Sequence, residues 1–141
     1  DEARERALNA QKVLLTWISE KPSLYAKIED LITSEDFTDP LYAKVAEEVF
    51  SQAKQGNVQP AQIMSKFTGE TEDANRIAAL FNTKLEHGDG TDLQRAFEEV
   101  VRRVKEDGLN NLAKTATSVA VIQSIMKQRT QLAKWKCDTR E

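Results

Sequence analysis

Apolar residues recur three and four positions apart in one segment after another, and no segment shows the strict alternation of a half-buried strand. A chain patterned this way has to fold by packing helices on helices. The first predicted helix covers residues 3–20, where Leu8, Leu14, Leu15, Trp17 and Ile18 form a broad apolar stripe. Lys21-Pro22 stops it, because proline has no amide proton and restricts the residue before it. Pro22 or Ser23 then opens a second helix, with Leu24, Ile28, Leu31 and Ile32 on one side.

Asp39-Pro40 is a strong helix start. The aspartate accepts free amide protons of the first turn, and proline sits where no intrahelical bond is lost. Leu41, Val45, Val49 and Phe50 follow at helical spacing, and Gly56 is the expected stop. Gln59-Pro60 begins a short helix with Ile63, Met64 and Phe67, which Gly69 breaks. Residues 72–85 read as a further helix with Ile77, Leu80 and Phe81 inward.

His87-Gly88-Asp89-Gly90 is the clearest internal boundary. Beyond it, Thr91 and Gln94 match a capping box, and a long helix runs to about residue 114. Its stripe is Leu93, Phe97, Val100 or Val101, Val104, Gly108 and Leu112. A glycine inside a helix costs about 1 kcal/mol of propensity. Gly108 therefore marks a bend, a close crossing or the helix end. Thr115-Ala116-Thr117-Ser118 is the next turn, with Thr117 or Ser118 capping a last helix to about residue 136. So short a turn makes the two helices antiparallel.

The expected fold is all-α: a compact helical bundle over 1–90, then a long connecting helix and C-terminal antiparallel hairpin over 91–136, then a tail over 137–141. With 141 residues, 40% of them hydrophobic, the chain has material for one modest core. No apolar run approaches the ~20 residues of a membrane span. The charged start is no signal peptide and fits a piece of a longer chain, and a single cysteine, Cys137, forms no internal bridge. These features read as cytoplasmic.

Charge is unevenly spread. Residues 1–91 hold 10 basic and 16 acidic side chains, whereas residues 109–136 hold Lys114, Lys127, Arg129, Lys134 and Lys136 and no acid. A basic stretch this short is most often a solvated face; its alternatives are an acidic protein patch or weak phosphate contact.

Catalytic constellations are wanting. His87 is a lone loop histidine, Cys137 has no histidine near it in sequence, and no cysteine pair suits zinc. The glycines match neither a phosphate loop nor a dinucleotide fingerprint. Glu47-Glu48 and Glu98-Glu99 are adjacent in sequence and read as charged helix faces. No catalytic, cofactor or metal residue is assigned.

The last helix is unusual instead, because residues 119–126 are apolar nearly all round. One stripe, Val121, Ile125, Leu132 and Trp135, suits packing on the long helix. A second edge, Ile122, Met126 and Arg129, is left over. Either both edges pack within the fold, or one is a docking face with an apolar centre beside basic groups. Met126 suits an irregular partner surface, and Trp135 either anchors a partner or staples the open end of the hairpin.

Three stretches carry a resemblance. "RERALNAQKVLLTWISEKPSLYAKI", with Leu14, Leu15 and Trp17, "FTDPLYAKVAEEVF", and "TDLQRAFEEVVRRVKEDGLNNLAKTATSVAVIQSIMKQRTQLAKWK" together resemble the C-terminal helicase-binding domain of bacterial DNA primases over nearly the whole chain. The likeness lies in helix order and pattern. It implies a bundle similar to the helicase's own N-terminal domain, and a terminal hairpin that attaches to the hexameric replicative helicase. It implies Val121, Ile122, Ile125, Met126, Arg129 and Trp135 as the partner-binding residues. It also implies that this stretch makes no primers and needs no cofactor, the zinc ribbon and magnesium-dependent polymerase core lying upstream. "SVAVIQSIM" is less charged than related hairpins, which leaves the contact edge open, and the tail 137–141 matches nothing and reads as disordered.

Competing readings are a self-association module closed by the apolar edge, a nucleic-acid binder using Lys127, Arg129, Lys134 and Lys136, and a helicase N-terminal domain. The nucleic-acid reading ranks low because the remainder is acidic and stacking aromatics are scarce.

Overall fold

The computed structural model describes residues 2–67, 69, 71–85 and 90–137. Among them the chain is all-helical with no strand: α1 (Glu2–Glu20), α2 (Pro40–Lys54), α3 (Pro60–Met64), α4 (Thr71–Asn82), α5 (Gly90–Thr115) and α6 (Val119–Lys134). Two 3-10 segments, Pro22–Lys27 and Ser34–Asp36, lie between α1 and α2.

Helix α1 buries Ala10, Gln11, Leu14, Leu15, Trp17 and Ile18 and leaves its first turns exposed. It ends as its sequence requires: Lys21 N–H donates to Trp17 O at 2.9 Å, and Pro22 cannot continue the ladder.

The predicted second helix is corrected. The segment after Pro22 is a 3-10 helix, with Leu24 N–H bonded to Lys21 O at 3.0 Å and Ile28 N–H to Tyr25 O at 3.0 Å. The 3-10 helix ends at Lys27, and turns beyond it place Ile28 and Leu31, Leu31 N–H reaching Ile28 O at 2.9 Å. Tyr25 is buried and stacks on Phe50, with ring centroids 4.8 Å apart. Leu24, Ile28 and Ile32 are still buried, as their spacing implied.

Helix α2 follows its predicted signals. Asp39 Oδ2 accepts from Tyr42 N–H at 3.1 Å, and Gly56 takes φ +86° just past the helix end. Leu41, Tyr42, Val45, Ala46, Val49, Phe50 and Ala53 face inward. Ile63 of α3 and Ile77 and Leu80 of α4 close the far side, while Met64, Phe67 and Phe81 are half-buried. The Thr16 hydroxyl lies 2.9 Å from both Lys12 O and Leu80 O, tying α1 to α4.

Helix α5 is continuous through Gly108. Its first half belongs to the same core as α1 and α2: Phe97, Val101 and Val104 are fully buried, and Phe97 meets Trp17 edge to face at 5.5 Å. The buried cluster therefore runs across position 90, the expected boundary between bundle and hairpin. α5 starts at Gly90, one residue before the expected Thr91 cap. The Thr91 side chain and the loop residues 86–89, including His87, lie outside the described residues, as do 138–141. The expected disordered tail is corrected at its first residue. Cys137 is buried, and its amide donates to Glu98 Oε1 at 3.0 Å.

Candidate docking site on the terminal hairpin

Ser118 opens α6, its hydroxyl accepting from Val121 N–H at 3.1 Å, so of the two predicted caps Ser118 is the one used. Polar bonds between α5 and α6 give their relative direction. Arg102 donates to Leu132 O at 2.8 Å, Lys105 to Gln128 Oε1 at 2.6 Å, and Arg129 to Asn110 Oδ1 at 3.0 Å. From Arg102–Leu132 to Lys105–Gln128 the numbers rise on α5 and fall on α6, so the two helices run antiparallel there.

One face of α6 is spent on packing. Ile125 and Leu132 are buried and Val121 is half-buried. Two of the expected partner-binding residues, Val121 and Ile125, therefore face the packed side of the helix. Ile125, 5% exposed, offers no surface to a partner, and Val121 lies on the same inner row. Trp135 is also engaged within the fold. It is half-buried at the end of α6, its indole N–H donates to Lys27 O at 3.4 Å, and the Arg102 guanidinium lies 5.5 Å from its ring. Arg102 also donates to Trp135 O, so Trp135 is tied both to α5 and, through Lys27, to the bundle.

The opposite edge is open. Ile122 is 45% exposed, Met126 63% and Val119 70%. Spacings of three and four put these three on one strip of the helix, and Arg129, exposed, continues it. The remaining exposed large hydrophobic among the described residues, Leu112 at 42%, is also in the hairpin, on α5. Its predicted place in the inward stripe is corrected: beyond Gly108 the helix projects past the bundle, and only Leu109 there is buried. Val119 is the site residue missed in the sequence. It stands three before Ile122 and seven before Met126, so extending the outward edge by one turn would have found it.

Lys114, Lys127, Arg129, Lys134 and Lys136 are all exposed, and no carboxylate lies between 109 and 136. They do not form one basic face. Arg129 is two residues from Lys127, roughly 200° around the helix.

At the base of the hairpin a polar junction is buried. Lys105 Nζ lies 3.1 and 3.2 Å from the Asp36 oxygens, and Asp36 Oδ2 accepts from Thr33 N–H at 2.9 Å. Loss of water pushes the Asp36 carboxyl above its ordinary pKa, outweighing the Thr33 amide and the Lys105 ammonium, which pull it down. A cleft of about 650 Å³ opens beside this junction, lined in part by Asp30, Leu112 and Gln131. A larger cleft, about 770 Å³, lies elsewhere, between the start of α1 and the middle of α5. Its floor of Ala10, Val13 and Val100 is rimmed by glutamates and arginines together, so it selects no ligand charge.

Among the described residues no group of three or more His, Cys, Asp or Glu could hold a metal ion, and no helix is long and apolar enough to cross a membrane. Compared against protein families, curated proteins and solved structures, the chain matches none.

Proposed function

We propose that this chain is a docking domain, the helicase-binding domain of a bacterial DNA primase, and that it acts as an adaptor. On this reading the terminal hairpin holds the N-terminal domain of the hexameric replicative helicase and tethers primase to it. Tethering raises the effective concentration of primase at the fork and lets priming keep pace with unwinding. The domain itself makes no primers; zinc and magnesium chemistry belongs to other parts of the primase. Strong direct nucleic-acid binding is not expected.

The observation that supports a docking role is the coincidence, on the hairpin, of the exposed large apolar side chains among the described residues and an all-basic charge set. Apolar groups of this size left in water beside polar neighbours are the usual composition of an interface centre and rim. The choice of helicase as partner rests on the resemblance in helix order and pattern.

The test is binding of the purified chain to the N-terminal domain of the helicase, compared with an Ile122→Asp, Arg129→Glu variant whose helicity and melting match wild type. Both substituted side chains are exposed, so the fold should tolerate them. The expected result is binding by wild type and a loss of at least tenfold in the variant, the scale of a removed interface anchor. Absence of binding by wild type would overturn the helicase assignment. Concentration-dependent dimerisation, abolished by the same substitutions, would instead assign the edge to a second copy of the chain.

A further inference from the structure

The hold of α6 on the rest of the molecule is thin in apolar terms. Of α6 only Ile125 and Leu132 are buried, and neither Leu109 nor Ile125 belongs to the main core cluster. Polar bonds supply the rest, and most gather at the C-terminal end of α6. Arg102 holds Leu132 O and Trp135 O, Gln131 Nε2 donates to Asp30 O at 3.1 Å, and Trp135 Nε1 to Lys27 O.

Further along, Arg129 meets Asn110 at the surface, and a buried contact at Lys105 has another character. Lys105 is 3% exposed and its ammonium is shared by groups from two other elements. On one side stands Asp36, a bundle residue 69 positions away in sequence; on the other, Gln128 of α6. Both acceptors are aimed. The Asp36 carboxylate is held by the Thr33 amide, and Gln128 Nε2 donates to Ser124 Oγ at 3.0 Å, which turns its oxygen toward Lys105. One turn on, Gly108 brings α5 against the same bundle segment: a Cβ there would stand 2.8 Å from Asp36 Cα and O. Apolar packing would hold the two helices at any of several seatings. A buried charge whose partners sit at fixed points allows one, since a shift leaves an ion unpaired away from water.

We propose that Lys105 is the lock that seats the hairpin: a positioning residue that joins the 33–37 segment and α6 through one ammonium, so that its loss releases both locally while the bundle stays folded. The inference is independent of what the hairpin binds.

Amide hydrogen exchange of the intact chain tests it. In Lys105→Met, segments 31–38 and 122–132 should exchange about tenfold faster, the scale of one lost buried hydrogen bond. Segments 10–18 and 45–50 should keep wild-type protection. Adding Asp36→Asn removes the stranded carboxylate, so 31–38 should recover while 122–132 stays fast. Equal acceleration of all segments would make Lys105 a general stabiliser and overturn the lock, as would unchanged protection. Should Lys105→Met fail to fold, Gln128→Leu, which leaves the ion pair intact, decides. It must accelerate 122–132 and leave 31–38 unchanged; any other pattern overturns the lock.

Discussion

A methyl group added at Gly108 would meet backbone, not a side chain that can turn aside: Cα and O of Asp36 are both 2.8 Å from the Cβ position. Alanine is the better helix former by about 1 kcal/mol. Over-packing that forces a backbone shift costs about 1–3 kcal/mol. Here the shift would also pull Lys105 from Asp36. The clash should win, so Gly108→Ala is expected to lower the unfolding free energy by about 1–2 kcal/mol. A reduced urea midpoint at unchanged slope would show it; a midpoint at or above wild type would mean that α5 lifts freely from the segment. The sequence marked this residue and left three explanations open, and contact with a residue 72 positions away selects the close crossing. Gln11 carried no mark at all. It is fully buried, donating to Thr38 Oγ1 at 2.8 Å and accepting from Asp39 N–H at 3.2 Å. A glutamine on an amphipathic helix reads the same whether it faces water or a turn 28 residues on, because its partner is chosen by tertiary packing.

Elements were legible where the signal is local chemistry. Asp39-Pro40 and Gly56 bound α2 because a cap and a left-handed stop act within a few residues. Residues 22–32 misled, since their apolar spacing suits a wide helix and a tight one, and what separates the two is that the amides of Leu24, Ile28 and Leu31 each reach a carbonyl three residues back. The outward edge of α6 was legible in part. Periodicity separated Ile122 and Met126 from Ile125, but could not show how far the hairpin projects, which is what exposes Leu112 and Val119. The Ser118 cap belongs to this projecting end. Ser118→Ala removes the acceptor for Val121 N–H and should cost about 1 kcal/mol. The first turn of α6 is exposed on most sides, so the loss should appear as local fraying. Amides 121–124 should exchange about fivefold faster, with the melting temperature little changed. A fall in melting temperature with no local acceleration would mean that the tip unfolds only with the whole molecule.

At the scale of the whole molecule, bundle and hairpin share one buried cluster, yet meet across a junction that contains charge. That has a consequence for stability against pH. The carboxyls of Asp36 and Asp107 both sit above their ordinary value of 3.8, in each case first because burial removes water. Lys105 opposes the shift at Asp36, and Arg103 opposes it at Asp107. The folded state therefore holds these protons more tightly than the unfolded chain. Their contribution is complete below 3.8 and is lost as pH rises through the folded values. This runs against the usual acid lability of a paired carboxylate, whose folded pKa is depressed. Asp36→Asn abolishes one of the two titrations and leaves Asp107 as an internal reference. The unfolding free energy of wild type minus that of Asp36→Asn should therefore grow as pH is lowered from about 7 toward about 4, measured by urea unfolding at fixed ionic strength. A difference that stays flat, or shrinks toward acid, would show that the Lys105 ammonium outweighs desolvation and that the carboxylate is the form the junction prefers.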